Sequence, residues 1–87
     1  MKRLLLEQRV KMRREDFGIL VFNPETFFVI TTNESGRKLL KLCDGSRSLH
    51  EILLSIRPRN KNIRNSAESF LTKLISAGII REVGDNE

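Results

Sequence analysis

The spacing of apolar residues changes once along this chain, and that change constrains the fold more than any other feature. Up to residue 32, apolar side chains alternate with charged ones or form short β-branched and aromatic runs. After residue 33 they recur at every third or fourth position. Since a period of two is typical of strands and 3.6 of helices, the sequence predicts a winged helix-turn-helix-like α+β fold, with a three-stranded antiparallel sheet followed by three helices.

Three short strands in a meander are predicted for the first half. Residues 9–13 alternate basic and apolar side chains, which is the pattern of a strand with one buried face. Asp16-Phe17-Gly18 then offers a turn. Ile19–Phe22 and Phe27–Ile30 are strand-forming runs, and in the Asn23-Pro24-Glu25-Thr26 segment between them Asn and Pro suit the first two positions of a type I turn.

The first two helices are predicted from their end signals. Asn33 suits the N-cap of the first, and Asp44-Gly45 supplies its left-handed stop. Ser48 and Glu51 have the spacing of a capping box at the start of the second helix, which Arg57-Pro58 ends.

The third helix is predicted to start near Asn65 or Ser66 and to end at Gly78. Before it, Arg59–Asn65 shows no apolar period and is interpreted as a mobile basic loop. After it, residues 79–83 suggest a short strand, and Gly84–Glu87 is expected to fray.

The length of 87 residues favours one domain spanning residues 1–87, with an ordered core from about 9 to 83. The longest apolar runs have four residues, far below the roughly 20 of a membrane-spanning helix. Glu7 interrupts the N-terminal leucines before a signal-peptide core of about seven residues forms. Together with the single Cys43, this predicts a cytoplasmic protein.

Few side chains suit catalysis or metal binding. Cys43 falls on the apolar face of the first predicted helix, as an inert buried thiol would, and His50 lies in the first turn of the second, where surface or packing roles are common. One His and one Cys do not supply the four N/S ligands of a structural zinc site. The sequence therefore predicts a protein that is not an enzyme and that has no catalytic residue, metal or cofactor.

The net charge of +5 is concentrated in residues 1–16, with +3, and residues 57–64, with +4. This favours an acidic partner, either nucleic acid or a peptide. A winged-helix DNA-binding regulator is the alternative function. It is disfavoured because the third predicted helix has Lys73 as its one basic residue and has no Asn, Gln or Arg to read base edges.

Strand addition is the second binding mode. The last predicted strand, Phe27–Thr32, contains neither Lys nor Pro, the residues that commonly protect a sheet edge. Its backbone would pair with an extended peptide if the edge is free. The competing interpretation is that a terminal segment or a helix covers it.

Four segments resemble the PqqD family of small peptide chaperones: Arg9–Arg13, Phe22–Ile30, Leu39–Ile52 and, more loosely, Ser69–Ile80. The Pro-Glu turn between the second and third strands and the L-C-D-G-x-R-S-x-x-E-I run carry most of the resemblance. The chain departs from the family pattern in its basic segment before the third helix and in the residues that open that helix.

The resemblance implies a recognition element for ribosomally synthesised and post-translationally modified peptides (RiPPs). In that family the leader of a precursor peptide adds antiparallel to the third strand, in a groove against the third helix. The domain presents it to a modifying enzyme, often a radical S-adenosylmethionine enzyme with iron–sulfur clusters. The implied peptide-binding residues are Phe27, Phe28, Val29, Ile30, Thr31, Thr32, Ser66, Ser69, Phe70, Lys73, Leu74 and Ala77.

Two roles stay open at this level. Phe27, Phe28 and Phe70 are either anchors for the peptide or core residues, and Lys73 either pairs with an acidic leader residue or is solvated. The expected state is a monomer or a weak homodimer, since a free edge can also pair with itself.

Overall fold

The computed structural model describes residues 1–84, so the fraying predicted for 85–87 lies outside the described residues. Within them the chain forms six strands and three helices, which confirms the α+β class and the number of helices. The elements are β1 Arg3–Leu6, β2 Lys11–Glu15, β3 Gly18–Asn23, β4 Phe28–Thr32, α1 Glu34–Leu42, β5 Asp44–Ser48, α2 Leu49–Ser55, α3 Lys61–Ser76 and β6 Ile80–Val83.

The predicted meander forms the sheet β2-β3-β4, in which both neighbouring pairs are antiparallel. A two-residue turn joins β2 to β3 and ends at Gly18, whose φ is +135°. A Cβ atom there would lie 2.7 Å from the carbonyl oxygen of Thr32. Glycine at this position therefore satisfies both the backbone conformation and the close approach of β4.

A second sheet, β5-β1-β6, differs from the expected arrangement. Its central strand β1 begins before residue 9, where the sequence placed the start of the ordered core, and Leu4 within it is only 1% exposed. Both partners of β1 come from distant parts of the chain, as in the pairing of Arg3 with Ser48 and with Val83. The short strand expected after the third helix is confirmed as β6.

Strand β5 lies where the sequence predicted only a turn. Asp44 and Gly45 do end α1, but the chain then extends along β1 and α2 starts directly after it. The prediction that the three helices follow one another without a strand was therefore wrong. The resemblance to a winged helix-turn-helix stays a prediction.

Side-chain caps define the helix starts. Asn33 caps α1 by accepting a hydrogen bond from the N–H of Gly36, and Ser48 and Glu51 form the predicted capping box of α2. Asn60 caps α3, so this helix begins more than a turn earlier than predicted and most of the expected loop is helical. The apolar period failed there because the first turn of α3 buries no side chain.

Both sheets and all three helices contribute to one hydrophobic cluster. Helix α3 contributes Ala67, Leu71 and Leu74, which lie on one face at helical spacing. None of the helices in residues 1–84 is long and apolar enough to cross a membrane.

Candidate functional site

Strand β4 is an edge strand, because within residues 1–84 its hydrogen-bonded neighbour is β3 alone. It carries no charged residue and no proline. Strands β1 and β6, which come from the two ends of the described chain, pair in the other sheet. The described part of the chain therefore leaves the backbone of the outer side of β4 without a strand partner, as strand addition requires.

The register identifies which backbone groups face outward. Residues of an antiparallel strand bond alternately to one neighbour and the other. Glu15 and Gly18 form the pair that closes the two-residue turn, so even-numbered residues of β3 bond to β2 and odd-numbered residues bond to β4. The same alternation directs even-numbered residues of β4 back to β3. Val29 and Thr31 thus turn their N–H and C=O groups toward the open edge.

The side chains of β4 divide in the same way. Phe28 and Ile30 are half-buried and pack against the core, whereas Val29 is 57% exposed and Thr31 is exposed. Phe27 precedes the strand with a φ of +61° and is 86% exposed. The structure thus excludes a core role for Phe27 and leaves Phe28 partly accessible beside the edge.

Two sets of contacts relate helix α3 to β4, and both pass through residues of neighbouring segments. Near the end of β4, a Cβ atom on Gly36 of α1 would clash with Oγ1 of Thr32 and would lie 3.1 Å from Cζ of Phe70. At the other end, the side chain of Asn23 donates a hydrogen bond of 3.1 Å to the carbonyl of Gly78. At one end α1 thus lies between Thr32 and Phe70, and at the other the last residue of β3 is bonded to a residue just past α3.

A cavity of about 580 Å³ opens at the Thr32 end of β4, between α1 and α3. Most of its wall is apolar, with Leu39, Ile56 and Phe70 among the contributors, and Lys38 brings a positive charge. The residues that line it are Thr32, Asn33, Ser35, Gly36, Lys38, Leu39, Ile56, Ile63, Ser66, Ala67 and Phe70.

The residues expected on the third helix differ in their surroundings. Ser66 and Phe70 line the cavity together with Thr32, and Ala77 is half-buried nearer the end of α3. Ser69 and Lys73 line a shallower depression on the exposed side of the helix. Leu74 is 1% exposed, so its side chain supports the helix from the core and does not reach the cavity.

Sequence reasoning missed the α1 side of the cavity, which Gly36 and Lys38 line. One signal for it was present: a glycine inside a predicted helix often marks a close approach of another element. Ile63 also lines the cavity and is 45% exposed. It was missed because the sequence placed it in a loop.

Charges concentrate at the other edge of the sheet, beside β2. Glu34 forms ion pairs with Arg37 at 2.7 Å and with Arg14 of β2 at 3.2 Å. The hydrogen bond from Arg37 lowers the pKa of Glu34 most; partial burial opposes this shift, and the bond from Arg14 lowers the pKa further. The Glu34 carboxylate thereby links β2 to α1.

The described residues show little reactive chemistry. Cys43 is buried, and its burial, with a smaller contribution from Asp44, raises the pKa of the thiol to about 12. A thiol with such a pKa is a poor nucleophile at neutral pH. Residues 1–84 contain no group of three or more His, Cys, Asp or Glu side chains placed to hold a metal ion.

The fold of this chain is similar to that of a solved structure. The structure is similar to that of a chain described as "Lasso peptide synthetase B1 complexed with the leader peptide", with a TM-score of 0.63 and 13% sequence identity, covering 91% of this chain and 98% of that one. No curated protein sequence matches significantly. The family model of Coenzyme PQQ synthesis protein D (PqqD) matches residues 18–80, more than half of the chain. The chain therefore belongs to the PqqD family.

Proposed function

We propose that this protein binds the leader of a ribosomally synthesised precursor peptide by strand addition to β4 and presents it to a modifying enzyme. The observation that carries the proposal is the open, uncharged edge of β4 with an apolar cavity beside it. Membership of the PqqD family and the fold shared with a protein solved in complex with a leader peptide support it.

Backbone pairing provides the first part of the affinity. An antiparallel leader segment would exchange hydrogen bonds with the outward groups of Val29 and Thr31. These bonds do not depend on the side chains of the leader, so they tolerate differences in its sequence. The leader loses conformational freedom on binding, which keeps the affinity moderate unless side chains add to it.

Side chains provide the selection. In an antiparallel complex the N-terminal part of the bound segment passes the Thr32 end of β4, where the cavity opens. An apolar leader side chain would contact Phe70 there, and Phe27 and Phe28 would contact the other end of the segment. Lys73, which makes no ion pair with another described residue, would pair with an acidic leader residue.

The chemistry belongs to a partner in this proposal. The expected partner is a radical S-adenosylmethionine enzyme with iron–sulfur clusters, and this chain acts without catalytic residues, metal or cofactor. The proposed state is a monomer or weak homodimer, since the leader competes with any second copy for the β4 edge.

Titration of the 15N-labelled protein with the synthetic leader of the precursor encoded beside its gene tests the proposal. We expect a Kd between about 0.01 and 10 μM and amide shifts in residues 27–32 and 66–77. Leader variants whose backbone nitrogens are methylated at alternate positions separate strand addition from side-chain docking. Methylation of the N–H groups that face β4 should abolish binding, and methylation of the N–H groups that face away should not. Shifts confined to residues 57–64, or tight binding to duplex DNA instead, would overturn the proposal.

A further inference from the structure

The arginines of this chain fall into two groups. The side chains of seven form a hydrogen bond or ion pair within the described residues: Arg3, Arg9, Arg13, Arg14, Arg37, Arg47 and Arg81. The side chains of Arg57, Arg59 and Arg64 form none within the same residues, and neither does that of Lys61 between them. We call these four residues the basic corner. Glu68, one turn after Arg64 on α3, makes no ion pair with it.

The basic corner surrounds an apolar recess. Arg57, Lys61 and Arg64 line a cavity of about 390 Å³ together with Leu53, Leu54, Pro58 and Asn60, and no acidic residue contributes to its wall. Leu54 is 61% exposed there. Cations around an exposed leucine complement a segment that carries both carboxylates and an apolar side chain.

The backbone at Arg57 is unusual as well. Its φ of +49° lies in the left-handed region that glycine adopts most easily, at the point where the chain leaves α2. An Arg57→Gly variant therefore relieves a conformational cost while it removes the charge, which makes it a test of function that does not depend on breaking the fold.

The basic corner and the proposed leader groove lie on different sides of α3. At about 100° per residue, Lys61 and Phe70 project about 180° apart around the helix. Their surroundings agree, since Phe70 faces α1 and Thr32 whereas Lys61 faces the end of α2. A leader bound along β4 would leave the corner accessible.

We infer that the basic corner is the docking surface for an acidic segment, containing a large apolar side chain, on the modifying enzyme. This rests on the proposed function, because an adaptor that holds a leader and an enzyme at the same time needs two separate surfaces. The carboxylates of the segment pair with the unpartnered guanidinium groups, and its apolar side chain covers Leu54.

The test compares an Arg57→Gly/Arg64→Gln variant with a Lys2→Gln/Arg81→Gln control, which has the same net charge but an intact corner. Affinities are measured for the leader and for the purified enzyme encoded beside this chain's gene. We expect the corner variant to bind the enzyme at least about tenfold more weakly, with less dependence on salt, and to bind the leader within twofold of the wild type. The control should match the wild type for both.

Different failures have different meanings. A wild-type protein that does not bind the leader would overturn the proposed function. A wild-type protein that binds the leader normally, with a corner variant that binds the enzyme as tightly as the control does, would overturn this inference alone. The inference would also be overturned if the corner variant lost leader binding. It would be overturned too if the variant bound the enzyme normally and lost binding to duplex DNA or anionic vesicles, because the corner would then serve another ligand.

Discussion

The two edge strands of the β2-β3-β4 sheet flank the same central strand, but they differ in how open they are to another chain. Strand β2 has the sequence Lys-Met-Arg-Arg-Glu, and its Arg14 pairs with Glu34 of α1. Strand β4 has the sequence Phe-Val-Ile-Thr-Thr and no ionic partner. Charged side chains are a common protection of a sheet edge, so we expect β2 to resist strand addition and β4 to accept it.

In the proposed function, one small sheet would combine a protected edge with an edge that binds a peptide. A bound peptide at β2 would have to displace or desolvate several guanidinium groups, which costs free energy. At β4 it would meet uncharged side chains and a helix already in place. The comparison predicts that leader binding responds to changes in β4 and is indifferent to matched changes in β2.

The largest expected effect comes from removing an outward backbone donor. Thr31→Pro deletes an N–H that faces the open edge while leaving the bonds to β3 in place, and proline is tolerated at such edge positions. We expect leader affinity to fall by about 30-fold, or about 2 kcal/mol, as measured by fluorescence anisotropy.

Arg14→Pro on β2 is the matched control, because the same alternation directs its N–H away from β3. It should leave the leader Kd unchanged within about twofold. Equal losses in the two variants would show that the edges do not differ. Circular dichroism of both variants verifies that they remain folded.

A smaller effect is expected when β4 is given the charge that β2 already has. Val29→Lys places an ammonium group at an exposed position of the edge, and we expect leader affinity to fall by about fivefold, or about 1 kcal/mol. Val29→Thr keeps the branched Cβ without the charge and should bind nearly as the wild type does. Unchanged binding in Val29→Lys, measured by calorimetry, would mean that charge does not distinguish the two edges.

The close approach of α1 and α3 to the end of β4 can be tested through stability. In Gly36→Ala the gain in helix propensity is at most about 1 kcal/mol, whereas the new methyl group meets Thr32 and Phe70, and such overpacking costs about 1–3 kcal/mol. We expect a net loss of about 1 kcal/mol, seen as a fall in Tm of about 5 °C.

Ser35→Ala, in the same turn but exposed, is the control for helix propensity and should not lower the Tm. Adding Thr32→Ala to Gly36→Ala removes the clashing hydroxyl and should recover part of the loss. A Gly36→Ala protein that is as stable as the wild type would show that the elements are not held as closely as described.

The smallest effect concerns the protected edge and its pH dependence. The native pKa of Glu34 is lowered, chiefly by the hydrogen bond from Arg37. The contribution of the ionised carboxylate to the free energy of unfolding is therefore complete above the pKa of an unfolded glutamate, about 4.3. It is lost as the pH falls through the native pKa. Glu34→Gln should therefore lower the Tm slightly at pH 7 and reduce the fall in Tm between pH 7 and pH 3. A fall of the same size in the variant and the wild type would contradict this assignment.

Local patterns were sufficient to predict the half of the fold that includes the candidate edge. The alternation in residues 9–13 and the two apolar runs after it identified the β2-β3-β4 meander, because each strand pairs with its neighbour in sequence. The capping box of α2 was visible for the same reason, since the side chains of Ser48 and Glu51 each bond to the backbone of the other, three residues away.

Non-local pairing explains what the sequence did not reveal. Strand β5 has the sequence Asp-Gly-Ser-Arg-Ser, which contains no β-branched or aromatic residue, and it extends because it pairs with β1. Leu4, Leu5 and Leu6 show no alternation of polar and apolar residues, because side chains on both faces of β1 are buried or half-buried. The α1 wall of the cavity depends on how α1, α3 and the end of β4 pack together, and the spacing of apolar residues in the sequence does not predict such packing.

The buried side chain of Asn23 bears on how fast a peptide would associate with the groove. Its amide donates to the carbonyl of Gly78 and its oxygen accepts from the N–H of Glu25, so the turn before β4 is fastened to the end of α3. If the peptide binds as proposed, we expect this bond to keep the two walls of the groove in place, so that no opening or closing step precedes binding. Association would then proceed at the rate at which the disordered peptide encounters and aligns with the strand, and differences among leaders would be expressed in how long each one stays bound.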